Sequence, residues 1–87
     1  MRGQETLTIV IYDVEDDRIR LKIAKTCRDY GLEHIQYSGF RGSLSATLRK
    51  ELFTKLKDAL AERPGRILVV PLCEKDAEAC QEVSRVP

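Results

Sequence analysis

Four carboxylates stand within five residues near the N-terminus, and they are the side chains of this chain best suited to holding a metal ion: Asp13, Glu15, Asp16 and Asp17. Residues 7–12 before them are β-branched and aromatic, which predicts a buried strand closed by Asp13. Carboxylate oxygens at the end of a strand suit Mg²⁺ or Mn²⁺. Asp13 is therefore the candidate metal ligand, and two copies facing each other across a dimer axis would hold the ion better than one.

Helix capping is the competing explanation for part of this cluster. Asp16 or Asp17 can cap the next segment, in which apolar residues recur with helical spacing until Gly31 ends it. An acidic side chain there also opposes the positive end of the helix. Helix capping is the favoured role for Asp17 and Glu15. For Asp16, capping and metal binding are equally favoured. Asp13 needs another explanation, because a carboxylate directly after a buried strand is expected to be desolvated or liganded.

The predicted first helix carries three cations on one face. Arg18, Lys22 and Lys25 stand at i, i+4 and i+7, a spacing that can follow a phosphate backbone. A solvated helix face is the more common explanation of such a stripe. The whole chain has 15 basic and 14 acidic residues and a net charge of +1. That balance argues against binding driven by bulk charge and leaves local basic patches as candidates.

Other kinds of site find little support in the residues. The three cysteines form no CxxC pair and His34 is the single histidine, so a structural zinc site is not expected. Neither a Ser-His-Asp set nor a glycine-rich phosphate loop is present. Aromatic residues such as Tyr12, Tyr37 and Phe40 are more often core than stacking platforms for bases. The longest apolar run, residues 67–70, is too short for a bilayer, and the N-terminus lacks an apolar signal core. We therefore expect a cytoplasmic protein with no membrane partner.

The order of the predicted elements indicates an α+β fold. With 87 residues, 43% hydrophobic and 33% charged, the chain can form one globular domain. Two short strands, or one kinked strand, are expected over residues 33–44. A helix capped by Ser45 and a buried strand over residues 66–70 follow. This βαββαβ order is the ferredoxin-like, split βαβ arrangement, and residues 82–86 could add a fifth strand at an edge.

The second face of this sheet is predicted to need a cover. Both helices are expected on one face, whereas the strands are apolar on both faces. A homodimer packed sheet on sheet is the simplest cover. Residues 1–87 are thus expected to form a single domain with a core over about residues 7–73.

Several segments, in this order, resemble the CRISPR-associated protein two family. They are residues 10–14 (VIYDV) followed by Asp16, Asp17 and Arg20, residues 30–32 (YGL), residues 35–40 (IQYSGF), the Leu44-Ser45 helix start, and residues 69–73 (VVPLC). The resemblance runs from about residue 7 to residue 86. It implies a ferredoxin-like fold and a symmetric homodimer, in which the C-terminal tail, residues 74–87, can join the partner's sheet.

The resemblance also implies a site and an activity. The family's metal-site residue falls on Asp13, and Tyr12, Arg20 and Phe40 match positions associated with activity or nucleic-acid contact. Members are described as metal-dependent endonucleases acting on RNA or double-stranded DNA. Members also act as a non-catalytic bridge in antiviral defence, where the dimer holds the CRISPR integrase and duplex DNA during spacer acquisition.

Two functions of different class follow, and a third has less support. The first is a CRISPR adaptation dimer that binds duplex DNA through the cations of the first helix. The second is an Mg²⁺-dependent endonuclease, in which Asp13 places the ion on the scissile phosphate and Arg20 offsets developing charge. Tyr12 or Phe40 would position the strand. We rank binding first, because one carboxylate per chain and no evident general base are sparse for a nuclease. A metabolite-binding regulatory domain, the third alternative, lacks a ligand motif.

Overall fold

The chain folds into seven helices and strands, which a computed structural model describes over residues 4–85. In chain order they are β1 (Glu5–Asp13), α1 (Asp17–Asp29), β2 (Glu33–Gln36), β3 (Gly39–Ser45), α2 (Ala46–Leu60), β4 (Arg66–Leu72) and the short α3 (Glu74–Glu78). The predicted α+β, ferredoxin-like order is confirmed, and residues 33–45 form two strands rather than one kinked strand. Within residues 4–85, no helix has the length and apolar character needed to cross a membrane.

The four strands form one antiparallel sheet in the order β2-β3-β1-β4. The central strand β1 pairs with both β3 and β4, and its last residue, Asp13, stands opposite Arg66, the first residue of β4. Pro71 is tolerated near the end of β4 because β4 is an edge strand. A proline on an edge strand lacks an N–H group without losing a hydrogen bond to a neighbouring strand. The carboxyl end of β1 therefore lies beside the start of β4.

The core lies between the sheet and the two long helices. Alternate residues of β1, namely Thr8, Val10 and Tyr12, are buried, whereas the residues between them are half-buried or exposed. The buried apolar residues of the core are Val10, Tyr12, Val14, Ile19, Ile23, Cys27, Leu32, Phe40, Leu44, Leu52 and Leu56. Burial raises the pKa of the Cys27 thiol to about 12, so this cysteine stays protonated and packs as an apolar side chain.

The helix ends lie where local sequence signals predict them. Asp16 caps α1, and its carboxylate accepts a hydrogen bond from the N–H of Ile19 at 3.0 Å. Ser45 caps α2 and accepts from the N–H of Leu48 at 3.2 Å. Gly31 follows α1 with a φ of 81°, in the left-handed region that favours glycine. The predicted Ser45 cap and the predicted stop at Gly31 are thus confirmed. The favoured capping role of Asp17 and Glu15 is wrong, because Asp16 is the N-cap and Asp17 is the first residue of α1.

The C-terminal segment differs from the expectation of a fifth strand. Residues 74–78 form α3, and residues 80–85 have no regular structure, while residue 86 lies outside the described part. Cys73 caps α3, and its thiol accepts a hydrogen bond from the N–H of Asp76 at 3.5 Å. The tail then returns to the sheet, where Arg41 Nη2 and Glu82 Oε1 form an ion pair at 3.1 Å. Over residues 80–85 the tail thus contacts the sheet through a side-chain ion pair and forms no strand ladder.

The face of the sheet away from α1 and α2, here called the open face, is apolar. Its apolar residues on the two adjoining strands β1 and β4 are Leu7, Ile9, Ile11, Leu68, Val70 and Leu72. Ile11 is 42% exposed and Leu68 is 49% exposed. The open face is the feature from which a homodimer is predicted, and the packing of a second copy against it stays a prediction.

Candidate nucleic-acid and metal site

Tyr12 and Asp13 are neighbours in sequence but lie on opposite faces of the sheet. Asp13 is exposed on the open face, whereas Tyr12 is 4% exposed and packs in the core. Of the two expectations for Asp13, desolvated or liganded, the single chain does not show desolvation, because β1 ends where its last side chain reaches solvent. Burial raises the pKa of the Tyr12 phenol, so its hydroxyl stays protonated. A side chain this buried has little surface with which to contact a phosphodiester.

Arg20 is engaged in contacts within the fold. Its guanidinium donates to the carbonyl of Val14 at 3.1 Å and to Ser38 Oγ at 3.0 Å. The same group lies 4.1 Å from the centre of the Tyr37 ring. Arg20 therefore joins α1 to the end of β1 and to the turn between β2 and β3. This connection is a structural clamp, a role that the sequence did not predict.

The three candidate catalytic side chains do not converge in this chain. The Arg20 guanidinium lies 5.6 Å from the centre of the Tyr12 ring, on the side of the sheet that carries the helices. Asp13 faces the opposite side, toward Arg66. Tyr12 is buried on the face of β1 opposite to Asp13, so the three side chains do not form one exposed set within a single chain.

The exposed aromatic residue at this end of the sheet is Tyr37 rather than Phe40. Phe40 is fully buried, with its ring centre 4.6 Å from that of His34 and 6.4 Å from that of Tyr12. Phe40 therefore has no exposed surface in the single chain with which to contact nucleic acid. Tyr37 is 79% exposed, although aromatic character favours the core. The sequence did carry one signal for the exposure of Tyr37, namely its position directly before the predicted Ser38-Gly39 turn, because turns run over the surface.

The described residues of one chain do not form a metal site by themselves. Within residues 4–85, no group of three histidine, cysteine or acidic residues is placed to hold an ion. Asp16 caps α1 and also pairs with Arg63 at 2.7 Å. The hydrogen bond from Ile19 N–H, and then the charge of Arg63, lower the pKa of Asp16. Asp13 offers one exposed carboxylate, which suits Mg²⁺ only when water, phosphate or a second copy supplies the other ligands.

Asp13 lines a shallow cleft of mixed charge at the end of the sheet. The cleft has a volume of about 600 Å³ and is lined by Asp13, Glu15, Asp16, Arg63, Pro64, Gly65 and Arg66. Arg63 pairs with Asp16, whereas Arg66 stands opposite Asp13 in the strand register. These cations reduce the repulsion that a phosphate group would meet from the carboxylates. The cleft therefore combines three carboxylates with two guanidinium groups, of which the Arg63 guanidinium is paired with Asp16.

The cations predicted on α1 are exposed as expected. Arg18, Lys22 and Lys25 all lie on the surface. Lys25 Nζ forms an ion pair with Asp29 at 3.1 Å, an exposed contact of the kind that contributes little. Among the residues that the structure describes, Arg18 and Lys22 take part in no ion pair of 4.0 Å or less. These two side chains are the stronger candidates for phosphate contacts.

Comparison with known families decides where the chain belongs. The model of the family described as CRISPR associated protein Cas2 matches residues 6–79. This chain belongs to the Cas2 family. A protein named CRISPR-associated endoribonuclease Cas2 from Desulforudis audaxviator is 41% identical over 69 residues, which cover 79% of this chain and 65% of that protein. One with the same name from Korarchaeum cryptofilum is 34% identical over 85 residues, or 98% of this chain and 91% of that protein.

A solved structure has the same fold as this chain. The crystal structure of a hypothetical protein from Thermus thermophilus superposes with a TM-score of 0.73 at 25% identity, over 95% of this chain and 92% of that one. The Cas2 family match extends from the second residue of β1 through α3. It contains Tyr12, Asp13 and Arg20, whereas the tail after residue 79 lies beyond it.

Proposed function

We propose that this Cas2 chain acts in CRISPR adaptation as a symmetric dimer that binds duplex DNA and bridges the CRISPR integrase. The observation that carries the proposal is the separation of the candidate catalytic side chains. Tyr12 lies in the core, Arg20 is bound to two loops, and of these three only Asp13 is exposed. Binding and bridging need exposed cations and an interface between copies, but they need no convergent catalytic set.

Duplex binding is supported by the exposed cations of α1. Arg18 and Lys22 are one helical turn apart on a surface that a phosphate backbone can approach. With a net charge of +1, the chain has no general positive field to attract nucleic acid. Affinity would therefore come from a few phosphate contacts, which do not discriminate sequence and which weaken as salt rises.

Dimer formation is supported by the open face of the sheet. Ile11 and Leu68 stand opposite each other in the β1–β4 register and are 42% and 49% exposed. Neighbouring Ile9 and Val70 continue the apolar surface. A second copy of the chain presents the same surface, so a two-fold packing would remove both from water.

A metal-dependent endonuclease acting on RNA or double-stranded DNA is the second candidate. It is favoured by the exposed carboxylate of Asp13 in a cleft that Arg66 also lines. The relatives from Desulforudis audaxviator and Korarchaeum cryptofilum are named endoribonucleases. Since Asp13 contributes a single carboxylate from each chain, this activity would require two copies of Asp13 to share an Mg²⁺ or Mn²⁺ ion.

One experiment separates the two functions. Wild-type protein, Asp13→Ala and the matched control Glu15→Ala are mixed with labelled RNA, single-stranded DNA and duplex DNA, each with Mg²⁺, Mn²⁺ or chelator. Gels are read for mobility shift and for cutting. The proposed function predicts a salt-sensitive shift of duplex DNA without cutting, equal in all three proteins. Cutting that needs metal and disappears in Asp13→Ala, but not in Glu15→Ala, would replace this proposal with the nuclease.

A further inference from the structure

The turn between β2 and β3 presents an aromatic ring that the proposed function does not use. Tyr37 is 79% exposed, and the turn lies at the same end of the sheet as Asp13, since the N–H of Tyr12 donates to the carbonyl of Ser38 at 3.1 Å. Single exposed apolar side chains are ordinary on protein surfaces. The surroundings of the Tyr37 ring, rather than its exposure, make it a candidate site.

The backbone beneath the Tyr37 ring is held by β1, α1 and β2. Besides the bond from Tyr12, Arg20 donates to Ser38 Oγ at 3.0 Å and approaches the Tyr37 carbonyl at 3.5 Å. His34 Nε2 on β2 lies 3.4 Å from the same carbonyl. A side chain carried by a fixed backbone loses less freedom on binding than one on a mobile loop. The turn is thus pre-organised to present its side chain.

One face of the ring is supported by a cation. The Arg20 guanidinium lies 4.1 Å from the ring centre, within the range of a cation–π contact. Its hydrogen bond to the Val14 carbonyl at 3.1 Å anchors the guanidinium to the end of β1. With Tyr37 79% exposed, the face away from Arg20 is open to solvent. The result is a flat π-surface with a rigid support behind it.

We propose that Tyr37 is a stacking platform for one unpaired nucleobase, with Arg20 as its support. Every base has a π-face, so the platform would accept any base. A base inside a duplex is covered on both faces by its neighbours, and the platform would therefore select an unpaired nucleotide at a single-stranded end. The inference rests on the proposed nucleic-acid binding and names the part of the nucleic acid that this end of the sheet contacts.

The test uses a duplex with a single-stranded overhang that carries 2-aminopurine, whose fluorescence falls when the base stacks. Wild type and Tyr37→Phe keep an aromatic face and should both quench the probe. Tyr37→Leu should abolish the quenching and weaken overhang binding about 5- to 100-fold. Leu21→Ala is the matched control, because it removes a side chain that is 69% exposed on α1 and carries no ring. It should behave as wild type, and a blunt duplex should bind all four proteins within about twofold.

The outcomes separate this inference from the proposed function. If Tyr37→Leu quenches and binds the overhang as wild type does, while blunt duplex is still bound, the platform is overturned and the proposed function stands. If the overhang is quenched through Tyr37 but blunt duplex is not bound, the platform is supported and duplex binding is overturned. Parallel DNA and RNA overhangs show which nucleic acid supplies the unpaired base.

Discussion

At the scale of single residues, the face of the sheet on which a side chain lies decides what it can do. Alternation along β1 places the Tyr12 phenol in the core and the Asp13 carboxylate in solvent. On β3, Phe40 lies opposite Val10 and is buried in the same layer. The sequence predicts these strands. The family resemblance implied roles for Tyr12 and Phe40, but it did not show whether their side chains are accessible.

Phe40 provides the first prediction at this scale. Phe40→Ala should lower the free energy of unfolding by about 3–5 kcal/mol, because it removes a fully buried ring from the core. Chemical denaturation measures the loss. Phe40→Leu keeps most of the apolar volume and serves as the control, which should remain folded and bind nucleic acid as wild type does. A folded Phe40→Leu protein that no longer binds would show that the ring acts in recognition.

Asp16 provides a pH dependence whose sign follows from its contacts. The N–H of Ile19, and then Arg63, lower the pKa of Asp16 in the folded chain. Its contribution to stability is therefore complete above the usual aspartate value of about 3.9 and is lost as pH falls through the lowered folded-state value. Asp16→Asn keeps a capping side chain but loses the charge. The stability gap between wild type and Asp16→Asn should shrink from neutral pH toward pH ~3.

Arg63→Gln is the control for the Asp16 prediction, because it removes the ion pair and leaves the capping hydrogen bond in place. Urea unfolding of this variant should show only part of the gap seen for Asp16→Asn. A gap for Asp16→Asn that stays constant from neutral pH to pH ~3 would contradict a folded-state role for the carboxylate charge.

At the scale of helices and strands, the helix ends could be predicted from nearby residues in the sequence. Contacts between residues that are far apart in the sequence could not be predicted. Asp16, Ser45 and Gly31 mark helix ends through contacts that span a few residues. Ser45 and Gly31 were predicted, and Asp16 was one of the candidate caps although Asp17 was favoured. The Arg20–Ser38 contact joins positions 18 residues apart, and no sequence spacing indicates it. Helix α3 was missed because its cap is the thiol of Cys73, which is outside the usual group of capping residues.

The Arg20 clamp gives the prediction at this scale. Arg20→Gln should lower the free energy of unfolding by about 1–3 kcal/mol, since it removes charged hydrogen bonds to Val14 and Ser38. It should also speed amide exchange at Tyr12, whose N–H is bonded to the turn. Lys22→Gln on the same helix is the control and should change stability by less than about 0.5 kcal/mol. Unchanged exchange at Tyr12 in Arg20→Gln would exclude the clamp.

At the scale of the whole molecule, the apolar open face was predictable and the path of the tail was not. Strands that are apolar at successive positions must be buried on both faces or leave one face uncovered. The tail instead returns to the sheet through the Arg41–Glu82 ion pair, which joins residues 41 positions apart. Such a contact depends on the final fold, and composition does not indicate it.

The apolar open face predicts that a single substitution on it shifts the equilibrium between monomer and dimer. Ile11→Asp should shift a dimer toward monomer, because a charge would be buried between the two sheets. The monomer should stay folded, since Ile11 is already 42% exposed in the single chain. Leu21→Asp, at a site that is 69% exposed on α1, is the matched control and should leave the dimer intact. Sedimentation equilibrium gives the dissociation constant, and a wild-type protein that is monomeric at every concentration would refute sheet-on-sheet packing.

The most direct test of the proposed function is the salt dependence of the affinity for a blunt DNA duplex. Fluorescence anisotropy would give Kd at several salt concentrations for wild type, Asp13→Ala, Lys22→Gln and the control Lys75→Gln, an exposed cation on α3. We predict that log Kd rises linearly with the logarithm of the salt concentration. Lys22→Gln should reduce the slope by about one for each lost phosphate contact. Asp13→Ala and Lys75→Gln should match wild type. A Kd that does not respond to salt, or a slope that Lys22→Gln leaves unchanged, would contradict duplex binding through the cations of α1.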